Sequence, residues 1–197
     1  MKTYDLVGIG NAVVDVISHS DDAFLDNMGI EKGIMQLVPQ DRAEQLYAAM
    51  DDRVQTPGGA VANTVAGVGA LGLNTAFIGR VRDDGLGRFY AKAMTDNGID
   101  FVNVPVTDGD TPTSRSMIFV TPDGERSMNT YLGISTGLSS ADVPAPVAGN
   151  AKIMFLEGYL FDEDAGKTAF REAARAAKAG GGKAGITSAK PTSNTMP

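Results

Sequence analysis

With 197 residues, of which 43% are hydrophobic and 21% charged, the chain can bury a sizeable core and is not a wholly disordered polypeptide. The net charge of −7 argues against a broad grip on nucleic-acid phosphates, so no nucleic-acid partner is expected. The lack of cysteine excludes disulfides, thiolate metal sites and cysteine nucleophiles.

Neither an export signal nor a membrane span is indicated by the sequence. Residues 1–5 lead directly into a strand-like run without the apolar core of a signal peptide. No apolar run approaches the roughly 20 residues that cross a bilayer. We therefore expect a cytoplasmic protein with no membrane partner.

A single carboxylate interrupts the first apolar region. Residues 4–9 predict a buried strand that ends at Gly8-Ile9-Gly10, and residues 13–17 continue as an extended β-branched run around Asp15. A dinucleotide-binding fingerprint would need a third glycine and then a helix, and Val13 stands there instead. Because burying a carboxylate is costly, we interpret Asp15 as functional rather than structural.

The central motif is the Gln-Thr-Pro-Gly-Gly-Ala-Val-Ala-Asn sequence of residues 55–63, which precedes a helix predicted over 64–71. Gly58 and Gly59 allow a ligand to approach the backbone and tolerate a positive φ. The helix start offers free N–H groups, and the amide of Asn63 can donate and accept. The motif suits a neutral, hydroxyl-rich ligand, although a plain Gly-Gly turn explains the same residues.

Alternating strands and helices elsewhere predict an α/β sheet. Further strands are predicted at 33–38, 75–78 and 153–156, and helices at 23–28, 41–50, 85–97 and 163–179. Glu157 follows a strand directly, at the sheet edge where ligands of open α/β sheets collect.

The middle of the chain lacks this alternation. Runs at 114–120 and 126–131 flank a Thr-Pro-Asp-Gly turn and predict a hairpin. Together with 33–38 and 102–106 they predict a small antiparallel sheet that could serve as a lid. The polar residues 188–197 predict a disordered tail.

Five motifs occur in a specific order along the chain. They are Gly10-Asn11-x-x-x-Asp15, Gly58-Gly59-x-x-x-Asn63, Gly79-Arg80-Val81-x-Asp83-Asp84-x-x-Gly87, Asp123-Gly124-Glu125-Arg126-Ser127-Met128 and Leu156-Glu157-Gly158. In this order they resemble the ribokinase/PfkB carbohydrate kinases, and within them the bacterial adenosine-kinase-like branch. The resemblance covers residues 2–180. It implies an α/β fold with a central, mostly parallel sheet flanked by helices and a small antiparallel β-lid.

The resemblance also implies ATP-dependent phosphoryl transfer, with Mg²⁺, to a hydroxyl of a small-molecule nucleoside, adenosine first, or of a sugar. It implies substrate-binding roles for Asn11, Asp15, Met35, Gly58, Gly59, Asn63 and Glu157, and lid roles for Leu37, Met117, Arg126 and Met128. Asp15 would accept hydrogen bonds from the ribose hydroxyls. The lid methionines could equally be core packing, and Arg126 could bind phosphate or merely pair across the hairpin.

Two parts of the family pattern are absent from the sequence. There is no Gly-Ala-Gly-Asp motif, which carries the family's catalytic base, and no Asn-x-x-Glu motif linked to Mg²⁺ and phosphates. We therefore predict that residues 1–187 form an incomplete domain that lacks the ATP half and does not turn over alone. The alternatives are a non-catalytic sugar- or nucleoside-binding module and a truncated product. We predict no catalytic residue, because the base motif is absent. We also predict no metal-binding residue, because Asp83 and Asp84 are interpreted as helix-capping residues.

Overall fold

The computed structural model describes residues 3–187, so the tail predicted at 188–197 lies outside the described residues. Ten strands and six α-helices make up this part. The strands are β1 Tyr4–Ile9, β2 Val13–His19, β3 Met35–Leu37, β4 Val54–Gly58, β5 Thr75–Ile78, β6 Asp100–Phe101, β7 Ser114–Val120, β8 Arg126–Tyr131, β9 Ala151–Leu156 and β10 Lys183–Ile186. The helices are α1 Asp22–Asn27, α2 Gln40–Ala48, α3 Ala60–Ala70, α4 Gly85–Asp96, α5 Ala145–Gly149 and α6 Asp164–Ala179.

A parallel five-stranded sheet forms the centre of the fold, with the strand order β10-β9-β1-β5-β6. Helices cover both faces: α3 packs on β1 and β5, whereas α6 packs on β9 and β10. Gly8 brings α3 close to β1, because a Cβ at this position would lie 2.5 Å from Val65. Burial on both faces explains why β5 is apolar after its first residue, Thr75.

The second sheet is larger than the sequence predicts. Its order is β3-β8-β7-β2-β4, and it is mixed, because β2 pairs parallel with β7 and antiparallel with β4. The hairpin of β7 and β8 has the predicted bounds. Strand β2, which carries Asp15, and strand β4, which precedes α3, both belong to this sheet. One face packs against α1, α2 and α4 in a core that includes Val16, Leu46 and Phe119.

The prediction that residues 102–106 belong to the lid is wrong. The N–H of Val102 donates to the carbonyl of Phe77 at 3.0 Å, and that of Val106 donates to the carbonyl of Val81 at 2.9 Å. The segment therefore extends the edge of the central sheet, where β6 pairs parallel with β5. A short β-branched run fits either sheet, and the chain direction after α4 decides between them.

The two neighbouring carboxylates before α4 are structural. Asp84 caps the helix by accepting from the N–H of Gly87 at 2.8 Å, and it accepts from the N–H of Thr113 at 2.9 Å. Asp83 forms an exposed ion pair with Arg88 at 2.8 Å. The capping interpretation of Asp84 is confirmed.

The chain crosses from the central sheet to the second sheet between β1 and β2, within residues 10–12. The parallel strands β1 and β9 end beside this crossing, since the N–H of Glu157 donates to the carbonyl of Ile9 at 3.0 Å. Polar residues that follow both strands therefore meet the open face of the second sheet. Among the helices of residues 3–187, none has the length and apolar character to span a bilayer.

Candidate substrate-binding site

A cavity of about 320 Å³ lies where the two sheets meet. Its lining comprises Asn11, Val13, Asp15, Met35, Leu37, Gly59, Ala60, Ser116, Met128, Thr130, Leu132, Glu157 and Tyr159. The volume falls in the range of small-molecule sites. Carboxylate and amide groups come from the ends of β1 and β9 and from β2, and hydroxyl groups come from β7 and β8. The apolar side chains come mainly from β3 and β8.

One row of side chains runs across the open face of the second sheet. In register, Leu37 lies beside Thr130, Thr130 beside Ser116, and Ser116 beside Asp15. The hydroxyls of Ser116 and Thr130 are 2.8 Å apart and hydrogen bonded. In the neighbouring row Met35 lies beside Met128. The face thus changes from apolar at the β3 edge to hydroxyl groups and then to a carboxylate.

The carboxyl of Asp15 rests directly on the backbone of β4. A Cβ on Gly58 would lie 2.4 Å from Oδ2 of Asp15, so this position has no room for a side chain. Burial raises the pKa of Asp15 to about 6, against the opposing effect of the Arg126 guanidinium. The carboxyl is therefore poorly hydrated, and it changes its charge around pH 6.

Glu157 joins three segments below the cavity. Its Oε1 accepts from Nδ2 of Asn11 at 2.9 Å, and its Oε2 accepts from the N–H of Val61 at 3.2 Å. The hydroxyl of Ser135 lies 2.8 Å from Oδ1 of Asn11. Burial raises the pKa of Glu157, and the hydrogen bonds from Asn11 and Val61 oppose that rise. The network fixes the orientation of the Asn11 amide.

The start of α3 differs from its sequence interpretation. The helix begins at Ala60 rather than at residue 64, and Gly58 ends a strand instead of lying in a loop. An N–H of the first turn donates to Glu157, so the helix start already holds a protein carboxylate. Gly59 has φ +110°, and a Cβ there would lie 2.3 Å from the carbonyl oxygen of Asn11. Glycine at this position therefore allows the start of α3 to pack closely against the β1–β2 crossing.

The structure brings most of the sequence-predicted site residues together. Those that line the cavity are Asn11, Asp15, Met35, Leu37, Gly59, Met128 and Glu157. Gly58 lies beneath Asp15 rather than in the lining. Arg126 is exposed outside the lining, on the face of β8 that carries Met128, and it lowers the pKa of Asp15. Both interpretations of Arg126, phosphate binding and pairing across the hairpin, stay predictions.

Two predicted site residues lie elsewhere. Met117 is fully buried in the core on the opposite face of β7, because adjacent strand residues point to opposite faces and Ser116 faces the cavity. Asn63 is exposed on α3 and outside the lining. The placement of Met117 corrects its assignment as a lid contact, whereas the substrate-binding role of Asn63 stays a prediction.

Sequence reasoning missed several lining residues, among them Ser116, Thr130, Leu132 and Tyr159. For two of these the hairpin contains a signal. Once β7 and β8 pair across the turn, the alternation that puts Met128 on one face also puts Ser116 and Thr130 there. Leu132 and Tyr159 follow the ends of their strands and carry no such signal.

No lysine or arginine lines the cavity, so this pocket offers no cationic side chain to the phosphates of ATP. Within residues 3–187 no group of three histidine, cysteine, aspartate or glutamate side chains is placed to hold a metal ion.

Fold and site together define an α/β protein whose cavity places a shielded carboxylate and two hydroxyl groups beside apolar side chains. The model of the pfkB family carbohydrate kinases matches residues 30–194, which is most of the chain. The chain therefore belongs to the pfkB family carbohydrate kinases, with a partial ribokinase-like fold.

Individual relatives agree with this assignment. The chain is similar to the adenosine kinase of Sinorhizobium meliloti, with 48% identity and a TM-score of 0.84 over 93% of this chain and 56% of that one. A probable sugar kinase from Rhizobium etli CFN 42 gives 42% identity and a TM-score of 0.84 over 94% and 56%. The aminoimidazole riboside kinase of Salmonella typhimurium is 36% identical over 131 residues, which are 65% of this chain and 40% of that protein. The chain thus spans little more than half of these solved relatives.

Proposed function

We propose that this chain provides the acceptor-binding site of an ATP-dependent kinase that phosphorylates a hydroxyl of a nucleoside, adenosine first, or of a sugar. Membership of a carbohydrate kinase family supports the reaction class. The similarity to an adenosine kinase at 48% identity supports a nucleoside acceptor.

The observation that carries the proposal is the row from Leu37 through Thr130 and Ser116 to Asp15. A carboxylate accepts hydrogen bonds from two neighbouring hydroxyls, and the serine and threonine hydroxyls donate or accept as needed. The aliphatic side chains of Met35, Leu37 and Met128 suit a flat, weakly polar group. A ribose at the Asp15 end and a base at the β3 edge match this change in polarity.

The alternative is a non-catalytic binder of the same ligands. The absence of the Gly-Ala-Gly-Asp and Asn-x-x-Glu motifs from the sequence favours it for this polypeptide. Both functions use the same cavity, so ligand binding alone does not separate them. An assay for ATP-dependent product does: we expect no product from this chain, and product formation would contradict the assignment of binding alone.

The proposal is tested by thermal unfolding of the 197-residue chain with adenosine, ribose or 2′,3′-dideoxyadenosine. At a hundredfold excess over Kd, adenosine should stabilise the chain by about 2.7 kcal/mol and raise the unfolding midpoint by about 5–10 °C. Dideoxyadenosine keeps the base but lacks the hydroxyls that Asp15 would bind, so its shift should be much smaller. Equal shifts by both nucleosides, or no shift by adenosine or ribose, would contradict the proposal.

A further inference from the structure

Tyr90 lies outside the cavity lining and contacts the site through a hydrogen bond to the backbone of Gly58. It lies on α4, is fully buried, and its hydroxyl donates to the carbonyl of Gly58 at 3.1 Å. Its ring packs between Phe77 and Phe101, with centroid distances of 6.3 and 5.6 Å. The aromatic cluster therefore fixes the ring, and the ring fixes where the hydroxyl points.

The hydrogen-bonded glycine is the one against which Asp15 rests. Gly58 is the last residue of β4, and the chain leaves the strand at Gly59 with φ +110°. The Cα of Gly58 closes one side of the Asp15 carboxyl, since an added Cβ would overlap it. Two successive glycines leave the backbone angles of this segment unrestricted by a Cβ, so its position depends on outside contacts, and Gly58 is otherwise paired only at the end of the ladder with Val13 of β2. An external anchor at Gly58 therefore controls how closely the backbone shields Asp15.

The tyrosine remains a donor wherever Asp15 titrates. Burial raises the pKa of Tyr90 well above its ordinary value, and the nearby carboxylates of Glu157 and Asp15 raise it further.

We propose that Tyr90 is a positioning residue: its hydroxyl holds Gly58 against the carboxyl of Asp15 and thereby keeps that carboxyl shielded and fixed in the cavity. The inference deepens the proposed function, on which its ligand-binding consequence rests. Its effect on Asp15 itself needs no ligand, so the two claims are separable.

The first test follows the ionisation of Asp15 by NMR in the unliganded chain. The charged or titratable groups around this carboxyl are Arg126 on β8, Glu157 after β9 and Tyr90 on α4. Tyr90→Phe keeps the ring and changes no charge. We expect the pKa to fall from about 6 towards its ordinary value, because a released Gly58 admits water.

Tyr131→Phe is the matched control. It also removes one hydroxyl, whose hydrogen bond to Oε1 of Gln40 is 3.2 Å long and lies on the other face of β8. This variant should leave the pKa of Asp15 unchanged. An unchanged Asp15 pKa in Tyr90→Phe, or equal changes in both variants, would overturn the inference.

The second test measures adenosine affinity in a double-mutant cycle with Asp15→Asn. Tyr90→Phe should weaken binding about tenfold in the wild-type background and less than about twofold when Asp15 is already replaced, because it acts through that carboxyl. Tyr131→Phe should bind like the wild type.

The outcomes of the two tests separate the claims. Equal losses of affinity in both backgrounds would overturn the inference, since Tyr90 would then act independently of Asp15. If the wild-type chain binds neither adenosine nor ribose, the proposed function fails, and the NMR titration still decides whether Tyr90 positions Asp15.

Discussion

Replacing Asp15 with asparagine is expected to remove most of the adenosine-dependent rise in the unfolding midpoint and, at the same time, to stabilise the unliganded chain. The amide keeps the shape of the side chain but replaces one of the two charged acceptor oxygens with an NH₂ donor, so it holds a pair of hydroxyls less well than a carboxylate does. It also removes a poorly hydrated charge, which should raise the unliganded midpoint at neutral pH by about 2–5 °C. Thermal unfolding with and without adenosine measures both effects.

The effect should depend on pH in a defined direction. Asp15 has a pKa of about 6 in the folded chain and an ordinary value near 3.8 when unfolded. Between these values the folded chain holds more protons, so ionisation of Asp15 costs stability as the pH rises. The stability advantage of the asparagine variant should therefore grow from pH 4 to pH 7 and vanish below about pH 4. Binding of adenosine by the wild type should weaken as the pH falls through 6.

Asp83→Asn is the control for the loss of one carboxylate. Asp83 forms an exposed ion pair with Arg88, so the variant should change stability by less than about 0.5 kcal/mol and keep the adenosine shift. If Asp15→Asn retains the full shift, or destabilises the unliganded chain, the account of Asp15 is wrong.

Gly59→Ala is expected to destabilise the chain by about 3 kcal/mol or more. The backbone at φ +110° is nearly restricted to glycine, and the new Cβ would lie 2.3 Å from the carbonyl oxygen of Asn11. Relief requires movement of the β1–β2 crossing and hence of the cavity floor. The unfolding midpoint should fall by about 6–12 °C, and adenosine binding should be lost.

Gly67→Ala provides a control of the opposite sign. Gly67 lies in α3, is exposed, and would place its Cβ in open space. Alanine is the better helix former, so this variant should gain about 0.5–1 kcal/mol and bind adenosine normally. A destabilisation of similar size in both variants would show that the strained geometry at Gly59 is not the cause.

Local patterns predicted the elements well where sequence and packing agree. The turn at residues 121–124 and the strand-like runs on either side of it define β7 and β8, because turn chemistry sets the hairpin register. Strand β5 has the predicted bounds of residues 75–78. The order of motifs was enough to identify the family, whose model matches residues 30–194.

The errors have a common cause. The sheet that a strand joins, and the face of the sheet on which each side chain lies, are set by tertiary packing rather than by local sequence. Residues 102–106 have the composition of a lid strand, yet their backbone bonds to the central sheet. Met117 and Ser116 differ by one position, and a shift of one residue exchanges the faces of a strand. Tyr90 lies 75 residues from Asp15, so no local pattern connects them. Only the folded structure shows that both contact Gly58.

The central claim is that a hydroxylated ligand binds between the two sheets, and methyl NMR of the methionines tests it most directly. The chain has nine methionines; Met35 and Met128 line the cavity, and Met117 lies on the buried face of β7. The account predicts that titration with adenosine shifts the methyl signals of Met35 and Met128 and leaves that of Met117 almost unchanged. Saturable binding that leaves Met35 and Met128 unaffected would contradict it.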